Sequence, residues 1–232
     1  MSARGSVPAH ASLQRRPSRA TFLFRKWVTG FRVSGAPHLD AQALPHFREV
    51  LAHTTHYLEY GSGVSTLVAW QVAQSVVTVD NDRRYLRAVA KALASASASP
   101  ERFNLIHVDT GITKQWGFPL FRAPTPRRLQ RWRRYAAAPW AFLDAHAIQP
   151  DTILVDGRFR VACVLESLLH LRDGSPCTIL VDDYADRPEY AVVEAFATRV
   201  SIHGLMATLR MRPDFDRAAC LRVLPQYHRD WR

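Results

Sequence analysis

Thr54-Thr55-His56-Tyr57-Leu58-Glu59-Tyr60-Gly61-Ser62-Gly63-Val64-Ser65-Thr66 is the stretch on which the reading of this chain turns. An apolar, aromatic run closes on an acid, two glycines and hydroxyls, and Leu67-Val68-Ala69-Trp70-Gln71-Val72-Ala73 continues with helix-like composition. That order spells strand, tight turn, helix, with the turn at the strand's carboxyl end. Glycines there let backbone N–H groups come close to a ligand, and Ser65 or Thr66 is placed to cap the helix. A second acid, Asp80, ends the next apolar run about twenty residues on, where nucleotide-binding βαβ units carry the carboxylate for a ribose. The stretch therefore predicts a site for a nucleoside-containing cofactor.

The flanking sequence repeats the same unit. Ala43 to Ala52 predicts a helix leading into the first strand, and Ser75-Val76-Val77-Thr78-Val79-Asp80 a second buried strand. Asp82 is placed to cap a helix carrying Tyr85, Leu86, Val89, Ala90 and Leu93 at helical spacing. Phe103 to Asp109 predicts a third strand, Asp151 to Gly157 a fourth and Cys177 to Asp183 a fifth, with helices over Phe159–Leu171 and about Pro188–Thr198. Two further strand-like runs, near Val200–Leu209 and Ala219–Leu224, are split by a Pro213-Asp214-Phe215-Asp216 turn. Five β–α units and a terminal hairpin predict an α/β fold, a doubly wound and mostly parallel sheet with an antiparallel edge. Each of the first five strands ends in an acid, at Glu59, Asp80, Asp109, Asp156 and Asp182/Asp183. Ligands of such sheets sit at the carboxyl ends of the strands, so five acids in register mark a site, with some of them serving only as helix caps.

Composition bounds the rest. The 232 residues suit one generous domain, 47% hydrophobic content suffices for a core, and no run nears the roughly 18 apolar residues of a membrane span. Cys163, Cys177 and Cys220 lack metal spacing and read as buried reduced thiols, which favours an intracellular, cytoplasmic location. The net charge of +11 is concentrated: residues 1–39 hold seven basic residues and no acid, and residues 112–140 hold seven more, again with none. The remainder is mildly acidic, which argues against a nucleic-acid-binding surface spread over the whole fold. The expected organisation is a basic, flexible extension over 1–39, whose Arg- and Ser-rich start also fits organellar targeting, and a domain over 40–232. Phe22-Leu23-Phe24 and Trp27 suggest a short docking segment within the extension.

With those residues in place, the chain resembles the class I S-adenosyl-L-methionine-dependent methyltransferases over roughly residues 41–225. Glu59-Tyr60-Gly61-Ser62-Gly63 resembles the family's first motif, and Asp80 matches the acid that holds the cofactor's ribose. Asp109 matches the acid near the adenine, and Asp156-Gly157 the motif beside the transferred methyl. The terminal hairpin fits too, since this family adds an antiparallel seventh strand to its Rossmann-like sheet. Val155-Asp156-Gly157-Arg158-Phe159-Arg160 and Val181-Asp182-Asp183-Tyr184 with Arg187, Pro188 and Tyr190 are similar to a bacterial-type methyltransferase-like group. The resemblance implies cofactor contacts from Glu59, Gly61, Ser62, Gly63 and Ser65 on the first turn, and from Asp80, Asn81 and Asp109 on the next two strands. A dinucleotide is the competing ligand, but Thr66 stands where its fingerprint wants Gly or Ala.

The same resemblance implies that Asp156 lies on the reaction side, with Arg158 at the pocket edge to bind an acidic substrate group or pair with a strand-end acid. Asp156 with Asp182 and Asp183 is similar to the metal triad of catechol-type O-methyltransferases, except that Asp183 stands where the last ligand is usually Asn. Those carboxylates would suit Mg2+ or another divalent cation, and the alternative is that Asp182 shapes the pocket while Asp183 caps a helix. His107, inside the third strand, is expected to pack. Residues 112–140 carry Trp116, Phe118, Phe121, Trp132, Tyr135 and Trp140 among their basic residues and are expected to form a lid or acceptor surface. The alternative is an amphipathic helix that packs Trp132 and Tyr135 inward. Ala138-Pro139-Trp140 is expected to open a helix running through His146.

Three functions compete. The first is O-methylation of a small molecule or glycan bearing an anionic group. The second is methylation of a nucleic acid such as RNA held by the basic segments, which lacks an Asn-Pro-Pro-Tyr-type or catalytic Cys motif here. The third is a non-catalytic scaffold that keeps the fold. A homodimer is compatible with each.

Overall fold

The computed structural model describes residues 30–96 and 99–232. The basic residues from Arg4 to Lys26, and the Phe22 to Trp27 segment, lie outside the described residues. Helix α1 (Ala43–Leu51) leads into strand β1 (His56–Tyr60), followed by α2 (Val64–Val72), β2 (Ser75–Asp80), α3 (Arg83–Ser95) and β3 (Phe103–His107). Helix α4 (Pro126–Ala145), β4 (Thr152–Val155), α5 (Arg160–His170) and β5 (Thr178–Val181) complete the parallel part. A 3-10 segment (Pro188–Ala195), the antiparallel pair β6 (Ala197–His203) and β7 (Met206–Met211), and α6 (Arg217–Tyr227) follow. The strand order is β3-β2-β1-β4-β5-β7-β6, a doubly wound seven-stranded sheet whose last two strands run antiparallel.

The central strands owe their place to their composition. Ile153-Leu154-Val155 and Ile179-Leu180-Val181 are almost fully buried, as strands covered on both faces must be. Side chains alternate between two layers. Leu154 and Leu180 pack with Phe47 and Leu51 of α1 and Ala69 of α2, whereas Ile153, Val155 and Val181 face Trp140 and Leu143 of α4 and Leu165 of α5. Asp82 caps α3 by accepting from the Arg84 and Tyr85 N–H groups, and Thr125 caps α4. Cys163, Cys177 and Cys220 are buried free thiols. Among the described residues no helix is long and apolar enough to cross a membrane.

Five local expectations are corrected. The hairpin lies earlier than the pattern indicated: β6 and β7 turn at Gly204, where φ is +58°, and Pro213–Asp216 instead introduces α6. Residues 219–224 form part of α6, with Cys220 and Leu224 on one buried helical face and Arg222 exposed between them, whereas a strand would set Arg222 on the same face as both. The segment after Pro188 is a 3-10 turn series ending at Ala195, because Ala197 already pairs with Met211. Helix α4 begins at Pro126, twelve residues before the expected start, and runs through Pro139. His107 is exposed at the end of the edge strand β3. The chain also lies on the domain before residue 40: Phe31 meets the Tyr85 ring edge-on at 5.4 Å, and Val33 packs beside Val89 and Leu93.

Candidate active site

Register brings the predicted acids to one rim of the sheet. Tyr60 pairs with Val79 on one side and Val155 on the other, so Gly61 emerges between the ends of β2 and β4. Gly61 has φ +97°, and a Cβ there would stand 2.7 Å from Gly157 Cα. Only glycine lets the two turns pass this closely. Gly63 caps α2 in extended backbone, its N–H held 2.9 Å from Thr66 Oγ1, and a Cβ there would meet only Ser65 and Tyr85 side-chain oxygens at ordinary contact distance.

Glu59 is fully buried beneath this turn, and its carboxyl oxygens accept from the hydroxyls of Ser65, Thr66, Thr78 at 3.1 Å and Tyr57 at 3.4 Å. Burial pushes the carboxyl up to about 7, against the four hydroxyl donors. These bonds tie the turn and the start of α2 to β1 and β2. Asp80 ends β2 with Oδ2 accepting from the Ser62 N–H at 3.0 Å and its hydroxyl at 2.7 Å, and Oδ1 from the Asp82 N–H at 2.7 Å. Each carboxylate oxygen has two acceptor sites, so Oδ1 retains one for a ligand hydroxyl. Asn81 is buried and donates to Thr110 Oγ1 at 3.0 Å and the Gly117 carbonyl at 2.9 Å, which latches the following loop. Asp109 is exposed at the end of β3, 3.3 Å from Arg131 of α4.

On the other side of Gly157, Val155 pairs with Val181, which sets Asp156 and Asp182 side by side. Phe159 and Asp183, just past these strands, adopt left-handed φ values of +58° and +55°, a strain that collects at functional rims. Arg160 at the start of α5 is 2% exposed and fills the space between the acids. Its Nη2 is 2.9 Å from Asp156 Oδ1, and its Nη1 is 3.1 Å from Asp183 Oδ2 and 3.9 Å from Asp182 Oδ2. It also donates to the Asp182 and Gly157 carbonyls. The divalent cation expected on Asp156, Asp182 and Asp183 finds no support here: the Arg160 guanidinium stands among the three carboxylates and offsets part of their charge. No group of three or more metal-ligating side chains capable of holding an ion occurs among the described residues. Burial still raises the Asp156 carboxyl, against the pull of Arg160, and raises Asp182 further with Asp156 beside it. Asp156 keeps a quarter of its side chain accessible, and is thus the carboxylate of the pair that a ligand can reach.

Arg158 is buried and forms no pair with a strand-end acid; its Cζ lies 4.2 Å from the Phe118 ring centre. Residues 111–125 cross this face, leaving Ile112, Trp116 and Phe121 more than half exposed. Behind them α4 packs inward as the alternative reading of 112–140 had it, with Trp132 Nε1 donating to the Thr110 carbonyl at 3.1 Å and Trp140 Nε1 to the Tyr60 hydroxyl at 3.0 Å. Of residues 112–140, the part that crosses the rim is therefore the loop before the helix. Arg160 belongs to the Val155–Arg160 motif but was given no role of its own, although its place four residues after Asp156, where a helix brings side chains together, was the signal for one. Tyr190 carried no such signal.

No protein-family model matches the chain, and no curated protein does. Among solved structures, a methyltransferase-like protein from Silicibacter pomeroyi is similar at 28% identity with a TM-score of 0.71, over 86% of this chain and 98% of its own. The ribosomal protein L11 methylase of Lactobacillus delbrueckii subsp. bulgaricus follows at 13% identity and 0.47, over 77% of this chain and 79% of its own. A putative O-methyltransferase from Klebsiella pneumoniae stands at 14% and 0.40, over 88% and 81%. Likenesses as distant as these last two carry no argument about activity.

Proposed function

We propose that this chain, built on the class I methyltransferase fold, is an S-adenosyl-L-methionine-dependent methyltransferase acting on a hydroxyl of a small molecule or glycan. The observation that carries the reading is the first turn: Gly61 crossing Gly157, Gly63 open at the start of α2, and Asp80 opposite with acceptor capacity to spare. The overall likeness to the Silicibacter pomeroyi protein supports it. Gly63, Ser62 and Asp80 would hold the donor, with Asp109 at the far end, and Glu59, Ser65 and Asn81 would keep those groups placed. When bound, the donor supplies an electrophilic methyl group. Asp156 takes the proton of the acceptor hydroxyl: burial lifts its affinity for a proton while its carboxylate stays reachable. Asp156 thus raises the nucleophilicity of the oxygen, and the loop over 111–125 with buried Arg158 limits water there.

The nucleic-acid reading loses ground because Arg131 is engaged with Asp109, Arg128 with Phe121 and the Ala123 carbonyl, and Arg122 with Trp231. Those contacts break up the basic run of 112–140. Titration calorimetry with S-adenosylhomocysteine tests the donor assignment: binding is expected in the micromolar range, and Asp80→Ala should weaken it at least about tenfold by removing a charge-assisted bond. No binding by the wild type, or undiminished binding by the variant, sinks the reading.

A further inference from the structure

Around the ends of β4 and β5 the charges pair unevenly. Arg160 engages all three acids, and Arg158, two residues before it, engages none. The Arg158 side chain is 6% exposed, makes no hydrogen bond or ion pair, and encloses Nε and Nη1 without partners. Tyr190, 1% exposed, leaves its hydroxyl equally enclosed and partnerless, and so does Asp182 with Oδ1. Arg187 ties Tyr190 to this rim, its Cζ 5.6 Å from the Tyr190 ring centre and its Nη2 3.1 Å from the Asp183 Oδ2 that Arg160 also engages, and Tyr190 lies within electrostatic reach of Arg158, so these orphaned atoms belong to one neighbourhood. Among the described residues the other partnerless buried side-chain atoms, on Trp70, Gln149 and Asp151, lie away from this rim, in the later part of α2 and before β4.

A buried guanidinium without an anion is costly, and native proteins leave few such groups unsatisfied. The Phe118 ring offsets part of that cost as a cation–π partner. Local anions cannot supply the rest, because Arg160 already draws Asp156, Asp182 and Asp183. An oxyanion of a bound ligand would supply the missing partner. We propose that Arg158 and Tyr190 form an oxyanion subsite for the methyl acceptor, which therefore carries a carboxylate or phosphate group beside the hydroxyl presented to Asp156. The proposal rests on the methyltransferase reading for the role of the subsite, though not for its existence. Phe118 closes it from the loop side, backed edge-on by Trp231 at 5.8 Å.

Titration calorimetry on the full chain with S-adenosylhomocysteine present tests the subsite, using benzoate, phenyl phosphate and neutral benzamide as probes. One of the two anions is expected to bind at least about tenfold more tightly than benzamide, the usual gain from a charge-assisted bond. The tighter anion identifies the acceptor group as carboxylate or phosphate. Arg158→Met should weaken anion binding at least about tenfold, and Tyr190→Phe about threefold, while both keep the S-adenosylhomocysteine affinity of the wild type. If Arg158→Met does not fold, Tyr190→Phe alone decides, since it only removes a partnerless hydroxyl. Equal binding of benzamide, no binding of either anion, or anion affinity unchanged in a folded variant overturns the subsite. Loss of S-adenosylhomocysteine binding in the wild type would instead count against the donor assignment, and the anion titrations would still decide the subsite.

Discussion

Replacing Glu59 by Gln should change how the stability of this protein depends on pH. The wild-type carboxyl lies at 0% exposure under the first turn and is raised from an ordinary 4.5 to about 7, by burial. A carboxyl raised on folding binds its proton more tightly in the native than in the unfolded chain. Its stabilising contribution is therefore complete below about pH 4.5 and is lost as pH rises towards 7. At about 1.36 kcal/mol per unit, a rise of this size corresponds to about 3 kcal/mol across that window. Glu59→Gln keeps the shape, and the rotatable hydroxyls of Ser65, Thr66 and Thr78 can turn to accept from its amide, but it cannot titrate. The assay is urea unfolding of both proteins at about half-unit steps from pH 5 to 7.5, read as the difference between the two curves so that the other titrating groups cancel. The variant should gain on the wild type by about 2–3 kcal/mol as pH rises. Parallel curves, or a gain towards acid, would refute the claim that burial rather than hydrogen bonding governs this carboxyl.

Gly61→Ala should cost about 3 kcal/mol or more in urea unfolding, because the backbone is left-handed there and the added Cβ would meet Gly157 at 2.7 Å; a loss under about 1 kcal/mol would show that the two turns can separate. Asn81→Ala removes both bonds that latch the 111–119 loop, so trypsin should cut after Lys114 severalfold faster with the melting temperature shifted little. An unchanged cleavage rate would mean that the loop is held elsewhere. Trp132→Phe leaves the Thr110 carbonyl without its indole donor inside a packed core, and should cost about 1–3 kcal/mol.

The sheet was legible because its strands are short apolar runs that end in turn residues, and its parallel order follows from alternation with helices. The C-terminal elements were harder. Ala219–Leu224 is nearly as apolar as a strand, and only Arg222, which a strand would place on the same face as Cys220 and Leu224, separates the two readings. Helix α4 was hidden by Pro139, whose helix-breaking tendency is tolerated where neighbours bury it. The positions of the rim acids were readable, but their states were not. Nothing in the spacing of Glu59 says that four hydroxyls, three of them from Ser65, Thr66 and Thr78, converge on it. Tyr190 and Phe118 reach the rim through tertiary packing alone, which no local pattern encodes.

Arg160 among the acids expected to hold a cation is the site's most consequential departure from that expectation, and it is open to test. Side chains on a helix tilt back towards its amino terminus, so an arginine in the first turn of α5 points over the strand ends it has just left. There it stands 2.9 Å from Asp156 and 3.1 Å from Asp183, supplying one positive charge where a divalent ion would bring two. Arg160→Ala should therefore destabilise the protein by about 3–5 kcal/mol near neutral pH, the usual result of stripping the cation from buried acids. The deficit should shrink towards about pH 5, because carboxyls already raised by burial rise further and protonate when the cation goes. The same variant exposes three carboxylates to an ion. Mn2+ should then raise its melting temperature and bind with a millimolar or better constant, while leaving the wild type unmoved. Mn2+ stabilisation of the wild type through these acids, or none in a folded Arg160→Ala variant, would show that the guanidinium is not standing in the ion's place.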